Sequence, residues 1–169
     1  MMAGIFFSCV NDLDSIKKIS ASANDPDERT RELRVLYSDS GKVQVEVYAR
    51  LAETYSHPKP IVKLKDSIEV RFYNPNGNLV SVLTALYGEI DQQNGQMFVR
   101  DSVHLYNPIK KQRLETEELK WNQKDSTIFT NKDVAVRTED AIFYGKGLKT
   151  RQDFSHYEFL KPLGKLKLK

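Results

Sequence analysis

Cysteine is nearly missing from this 169-residue chain: Cys9 stands alone, which excludes an internal disulfide framework and any paired-cysteine clip around a metal. Histidine is scarce as well, and His57, His104 and His156 are scattered without a metal-binding motif, so neither metal nor cofactor is expected. His104 falls between Val103 and Leu105 and should face solvent. No run approaches the ~18 apolar residues a membrane-spanning helix requires. An excess of one charge is lacking too: 26 Lys and Arg against 23 Asp and Glu give +3. That surplus is spread thinly, and its densest point, Lys110-Lys111-Gln112-Arg113, sits at a turn, so no nucleic-acid partner is implied. Catalytic signatures are absent. No nucleophile elbow occurs, Glu115, Glu117 and Glu118 read as a solvated face, and no helix follows Gly145-Lys146-Gly147 to hold a phosphate. The chain is not expected to be an enzyme.

A sustained helical period is also missing from Leu36 onward, and alternation takes its place. Val43, Val45, Val47, Ala49 and Leu51 share one face of a strand, with Lys42, Gln44, Glu46, Tyr48 and Arg50 on the other. Ile68, Val70 and Phe72 repeat the pattern, and further strands are expected at Leu79–Tyr87, Met97–Tyr106, Leu119–Trp121, Ile128–Thr130, Val134–Arg137, Ala141–Leu148 and Phe154–Leu160. Turn chemistry separates them at Ser38–Gly41, Asn74–Gly77, Gln93–Gly95, Tyr106–Pro108, Asn122–Asp125, Thr130–Asp133, Thr138–Asp140 and Pro162–Gly164. Arg113–Lys120 is rich in helix formers, yet Ile109, Leu114, Leu119 and Trp121 do not line one helical face, so period outweighs propensity and a strand is expected. The fold class is all-β: short antiparallel strands in a sandwich, barrel or roll. A faint repeat of roughly thirty residues matches Asp101–Leu105 to Lys132–Val136 and Glu118–Lys120 to Gly147–Lys149, as stacked β-layers would.

Upstream, Gly4–Cys9 is apolar and ends on a small residue before cysteine, which resembles a lipobox whose thiol takes a diacylglycerol. Three regions follow: a truncated signal or lipobox over 1–9, a polar tether over 10–34, and a folded domain over 35–169. A flexible tether of ~25 residues spans about 25–30 Å, enough to hold a domain beside a membrane.

An ordered series of motifs resembles the LptC family, most closely its Bacteroidota branch. It runs from Glu69–Asn74 and Ser81–Ala85 through Val103–Asn107, Leu114–Asn122 and Ile128–Thr130 to Tyr144–Leu148. The resemblance implies a periplasmic component of the lipopolysaccharide export transporter, folded as a twisted, open β-jelly roll whose interior receives acyl chains. It implies lipopolysaccharide, the inner-membrane ABC transporter subunits and a periplasmic bridge jelly-roll protein as partners, membrane association, and no bond chemistry. Relatives carry an N-terminal membrane helix where this sequence offers Cys9, so a lipidated anchor at the inner membrane is implied instead. Inward positions expected to line the groove are Val45, Val47, Val70, Phe72, Leu86, Val103, Leu105, Leu119, Trp121, Val134, Val136 and Leu148. Gly145, Gly147, Phe159 and Leu166 are expected at partner-docking edges. Two other classes fit the composition: an envelope β-sandwich lipoprotein binding polysaccharide on Tyr37, Tyr48, Tyr55, Tyr73 and Tyr87, and a β-sandwich hydrolase.

Overall fold

The computed structural model describes residues 25–168. Nine strands follow one another in a single antiparallel meander: β1 (Glu28–Asp39), β2 (Lys42–Tyr55), β3 (Ile61–Tyr73), β4 (Leu79–Asp91), β5 (Gln96–Asn107), β6 (Gln112–Asn122), β7 (Thr127–Arg137), β8 (Ala141–Arg151) and β9 (Tyr157–Lys167). Each pairs only with its sequence neighbours, so β1 and β9 remain edges and the sheet does not close. The all-β, open, jelly-roll-like class is as expected, and Arg113–Lys120 is strand. The strands themselves are long, 11 to 14 residues, rather than short.

The added length comes from a transverse crease. Near its middle each of β1–β8 loses register with a neighbour or takes a left-handed residue, at Glu32, Arg50, Asp66-Ser67, Leu86, Asp101-Ser102, Glu117, Asn131-Lys132 and Gly147. Glu32, Asp66, Ser67, Asp101, Ser102 and Gly147 have φ between 53° and 77°. Asp and Ser tolerate this region because short polar side chains can satisfy the disturbed backbone locally, and glycine because it has no Cβ. Aligned bulges bend every strand the same way, so the sheet folds onto itself as two facing leaves. The first leaf ends in the turns at 39–42, 73–79, 107–112 and 137–141; the second ends at 55–61, 91–96, 122–127 and 151–157.

Side-chain rows across the sheet follow from the register. On the inner face of the first leaf runs Val35, Val47, Val70, Leu83, Leu105, Leu114, Val136, Phe143 and Lys165. The second leaf contributes Val62, Ile90, Met97, Trp121, Ile128, Thr150 and Tyr157. The Trp121 ring meets Phe72 and Tyr37 of the opposite leaf edge-on, each at 5.7 Å between centroids, a favoured aromatic geometry. At the far end the 151–157 loop folds over the first leaf. Its carbonyls accept hydrogen bonds from Asn107 Nδ2 (2.8 Å, to Asp153), from Gln112 Nε2 to Phe154 and from Ser81 Oγ to Gln152. With its backbone satisfied, the loop carries the fully buried Phe154 into the core as a plug.

Several expectations are corrected here. Thr130–Asp133 is a bulge inside β7, not a reversal, and Pro162–Gly164 lies inside β9, where a missing N–H is tolerated at a sheet edge. Two reversals went unread: Ser56–Pro60 and Gln152–His156. Glu28–Arg34, placed in the tether by composition, pair with β2. The thirty-residue repeat is a β-hairpin: Asp101-Ser102 and Asn131-Lys132 occupy the same crease two strands apart, in a meander and not a coil of layers. The lipobox at Cys9 lies outside the described residues.

Candidate functional site

The inner face is the apolar surface that the expected lining residues share. Val45, Val47, Val70, Phe72, Val103, Leu105, Leu119, Trp121, Val134, Val136 and Leu148 all belong to one buried cluster, each at most 5 % exposed. Leu86 does not. In β4 the inner set is Ser81, Leu83 and Ala85 before the crease and Gly88 and Ile90 after it, so alternation counted back from Ile90 wrongly places Leu86 inside. The bulge turns it outward, 55 % exposed.

The interior is filled. A cleft of about 190 Å³ opens between Val35 and Tyr37 of β1 and Ile90, Met97 and Trp121 of the other leaf. This cleft lies beside the unpaired edge of β1. Burial raises the Tyr37 hydroxyl above its ordinary pKa. Toward the other edge the first leaf's inner face ends at Phe143, with the Lys165 ammonium 4.9 Å from the ring centroid.

Gly145 and Gly147 are placed against β9. A Cβ on Gly145 would lie 2.2 Å from Phe159 Cδ1 and 2.9 Å from the Lys161 carbonyl oxygen; one on Gly147 would lie 2.6 Å from Leu160 Cδ1. Phe159 is half-buried and packs on the core, whereas Leu166 is 54 % exposed, and Leu160 and Leu163 of the same strand are exposed too.

The outer face is charged and tightly cross-linked. Glu53 is buried there and takes Lys65 Nζ at 2.6 Å and Arg29 Nε at 3.1 Å. The Lys65 bond chiefly holds its carboxyl down at about 2, against burial and with help from Arg29 and Tyr55. Glu46 is also lowered: burial opposes this, and hydrogen bonds from Tyr73 and Arg34 overcome it. The tyrosines weighed as glycan platforms are engaged: Tyr48 donates to Glu32, Tyr55 to Glu53, Tyr73 to Glu46 and Tyr87 to Glu89, while Tyr37 faces inward. Lys63 and Arg100 cap the Tyr55 and Tyr87 rings at 4.4 and 4.2 Å. His104 Nδ1 lies 2.9 Å from Arg113 on this face, and among the described residues no group of His, Cys, Asp or Glu is arranged to hold a metal.

The family described as LptC, lipopolysaccharide-assembly, LptC-related, matches residues 2–161. The chain belongs to the LptC family. Its role is accordingly in lipopolysaccharide transport, as an envelope component that works with a transporter, and LptC proteins are generally not enzymes. No curated protein matches the chain. Among the described residues no helix is long and apolar enough to cross a membrane. For an LptC protein the crease is the feature that sequence reading missed; Asp-Ser pairs interrupting strict alternation, at 66–67 and 101–102, were its visible signal.

Proposed function

We propose that this LptC protein is a non-enzymatic lipid-transfer module, periplasmic and held at the inner membrane through a lipidated Cys9. It takes lipopolysaccharide from the inner-membrane ABC extractor and passes it to a bridge jelly-roll protein. One observation carries the reading: an apolar row crosses the inner face of the first leaf from Val35 of the unpaired edge strand β1 to Phe143 of β8.

Transfer needs binding that is neither absent nor irreversible. Enclosing a tail of about twelve methylenes would gain about 10 kcal/mol, and several tails together would be held too firmly to hand on. A filled interior lowers that gain, because tails must part the two leaves or displace Trp121 from Phe72 and Tyr37 as they enter. The cost of opening offsets the gain from burial, which places the net affinity in a range compatible with onward passage. Exposed backbone along β1 and β9 supplies the means of pairing with neighbouring rolls.

A photo-activatable residue at Tyr37 or Trp121 should capture labelled lipopolysaccharide, while one at Tyr48 on the outer face should not. Equal capture at all three positions, or none at Tyr37 and Trp121 in folded protein, rejects the inner face as the route. Cys9→Ser should release the protein from membranes; unchanged fractionation with no acyl mass on Cys9 removes the anchor.

A further inference from the structure

On the outer face of the second leaf two neighbouring rows differ from the surrounding ion-pair lattice. One runs Glu89, Phe98, Lys120, Phe129 across β4–β7, and the next runs Asp91, Gln96, Asn122, Thr127. Together they form an open cleft of about 540 Å³, a volume suited to a small ligand. We propose that this cleft is a saccharide subsite that binds a neutral hexose unit in the glycan of lipopolysaccharide.

Aromatic availability separates the cleft from the tyrosines of the ion-pair lattice. Tyr55 and Tyr87 are capped by cations and pinned to glutamates, whereas the half-buried rings of Phe98 and Phe129 have neither kind of partner. Their backbones lie two strands apart, about 9.5–10 Å, with Lys120 between them. Polar groups complete the rim. Among the described residues nothing pairs with the Lys120 ammonium or the Gln96 amide, and Asn122 uses its Oδ1 on the Lys124 amide while its Nδ2 stays free. A sugar ring matches this mixture, because it presents an apolar C–H face to an aromatic ring and hydroxyls that both donate and accept around its edge. A phosphate or carboxylate is matched less well: Lys59 and Asp91 close on each other at 2.5 Å, which leaves Lys120, among the described residues, as a single unpaired cation in a lining that also carries the Glu89 carboxylate.

The choice of glycan rests on the transfer reading, and the test separates the two. Lipid-free core oligosaccharide, released from lipopolysaccharide by mild acid, is titrated into isotope-labelled full-length protein. Amide shifts should centre on Gln96, Phe98, Lys120 and Phe129. Phe129→Ala should weaken binding about tenfold, and Lys120→Gln, an exposed change that leaves the core untouched, should weaken it severalfold. Absence of these shifts, unchanged affinity in both variants, or identical shifts with inorganic phosphate alone would overturn the proposal. Lipid A lacking the glycan reports on the interior: its capture at Tyr37, which lines the interior cleft and not the saccharide cleft, without oligosaccharide binding sinks the subsite and leaves transfer standing. Oligosaccharide binding without lipid A capture does the reverse.

Discussion

Replacing Gly145 by alanine adds one methyl group where β8 faces Phe159 and Lys161 of β9. Its carbon would sit 2.2 Å from Phe159 Cδ1 and 2.9 Å from the Lys161 carbonyl oxygen, where ordinary contact lies near 3.5–4.0 Å. Phe159 must therefore retreat by roughly 1.3–1.8 Å to reach ordinary contact. Retreat is hindered because its ring stands edge-on to Tyr157, 5.7 Å away at 89°, and packs on the core. The second clash is with backbone, which cannot swing aside without breaking the ladder of β9. Overpacking of this kind costs about 1–3 kcal/mol, which for a domain of this size lowers Tm by about 3–10 °C. Gly164→Ala is the control. It lies on the same edge with nothing within 4 Å of the added carbon, so its change should stay within about 0.5 kcal/mol. Urea titration gives the stability difference, and hydrogen exchange should show Phe159–Lys161 amides losing protection ahead of β2–β7. Wild-type stability and unaltered β9 protection in Gly145→Ala would refute the argument that these glycines are there to seat β9. A docking defect in such a folded variant would instead favour a direct partner surface.

Leu105→Ala should cost about 2–5 kcal/mol in chemical denaturation, whereas Leu86→Ala, on the outward side of the crease, should stay within about 0.5 kcal/mol; equal losses would contradict the bulge. Ser102→Val should destabilise by about 1–2 kcal/mol, since a β-branched residue resists φ 53°, while Ser102→Gly should not; this is read by thermal melting. Glu53 has a folded-state pKa of about 2 against an ordinary 4.5, so its stabilisation is complete above about pH 5 and is lost as pH falls through 2. Glu53→Gln should therefore be less stable than wild type by about 1 kcal/mol at pH 7 and equal to it near pH 2, with a constant gap across that range counting against the ion pair.

Much of the fold was legible because a half-buried strand writes its period directly into sequence. Val43–Leu51 and Ile68–Phe72 announced their faces, and Asn74–Gly77 and Gln93–Gly95 announced reversals through residues that accept positive φ. Legibility failed where one local chemistry serves two ends. Thr130–Asp133 has the polar composition of a turn yet only bends β7, while Gln152–His156 makes a true reversal around a buried phenylalanine. Leu86 was misplaced because an alternation cannot reveal that an extra residue has been inserted into it. The meeting of Trp121 with Phe72 and Tyr37 depends on two leaves closing, a relation that no single strand encodes. Phe98 and Phe129 are hard to read for the opposite reason: tyrosines suggest outward platforms, and only the side-chain contacts among the described residues show that Tyr55 and Tyr87 are covered by cations while Phe98 and Phe129 are not.

The crease places the curvature of this sheet in backbone torsions at Asp66-Ser67, Asp101-Ser102 and Gly147, not in the bulk of the side chains between the leaves. A vessel whose spine holds its own bend can exchange its contents without losing its outline. The contents and the curve are then free to vary separately: substitutions among the inward aliphatics retune how much guest the vessel admits, and substitutions along the spine retune how wide it gapes.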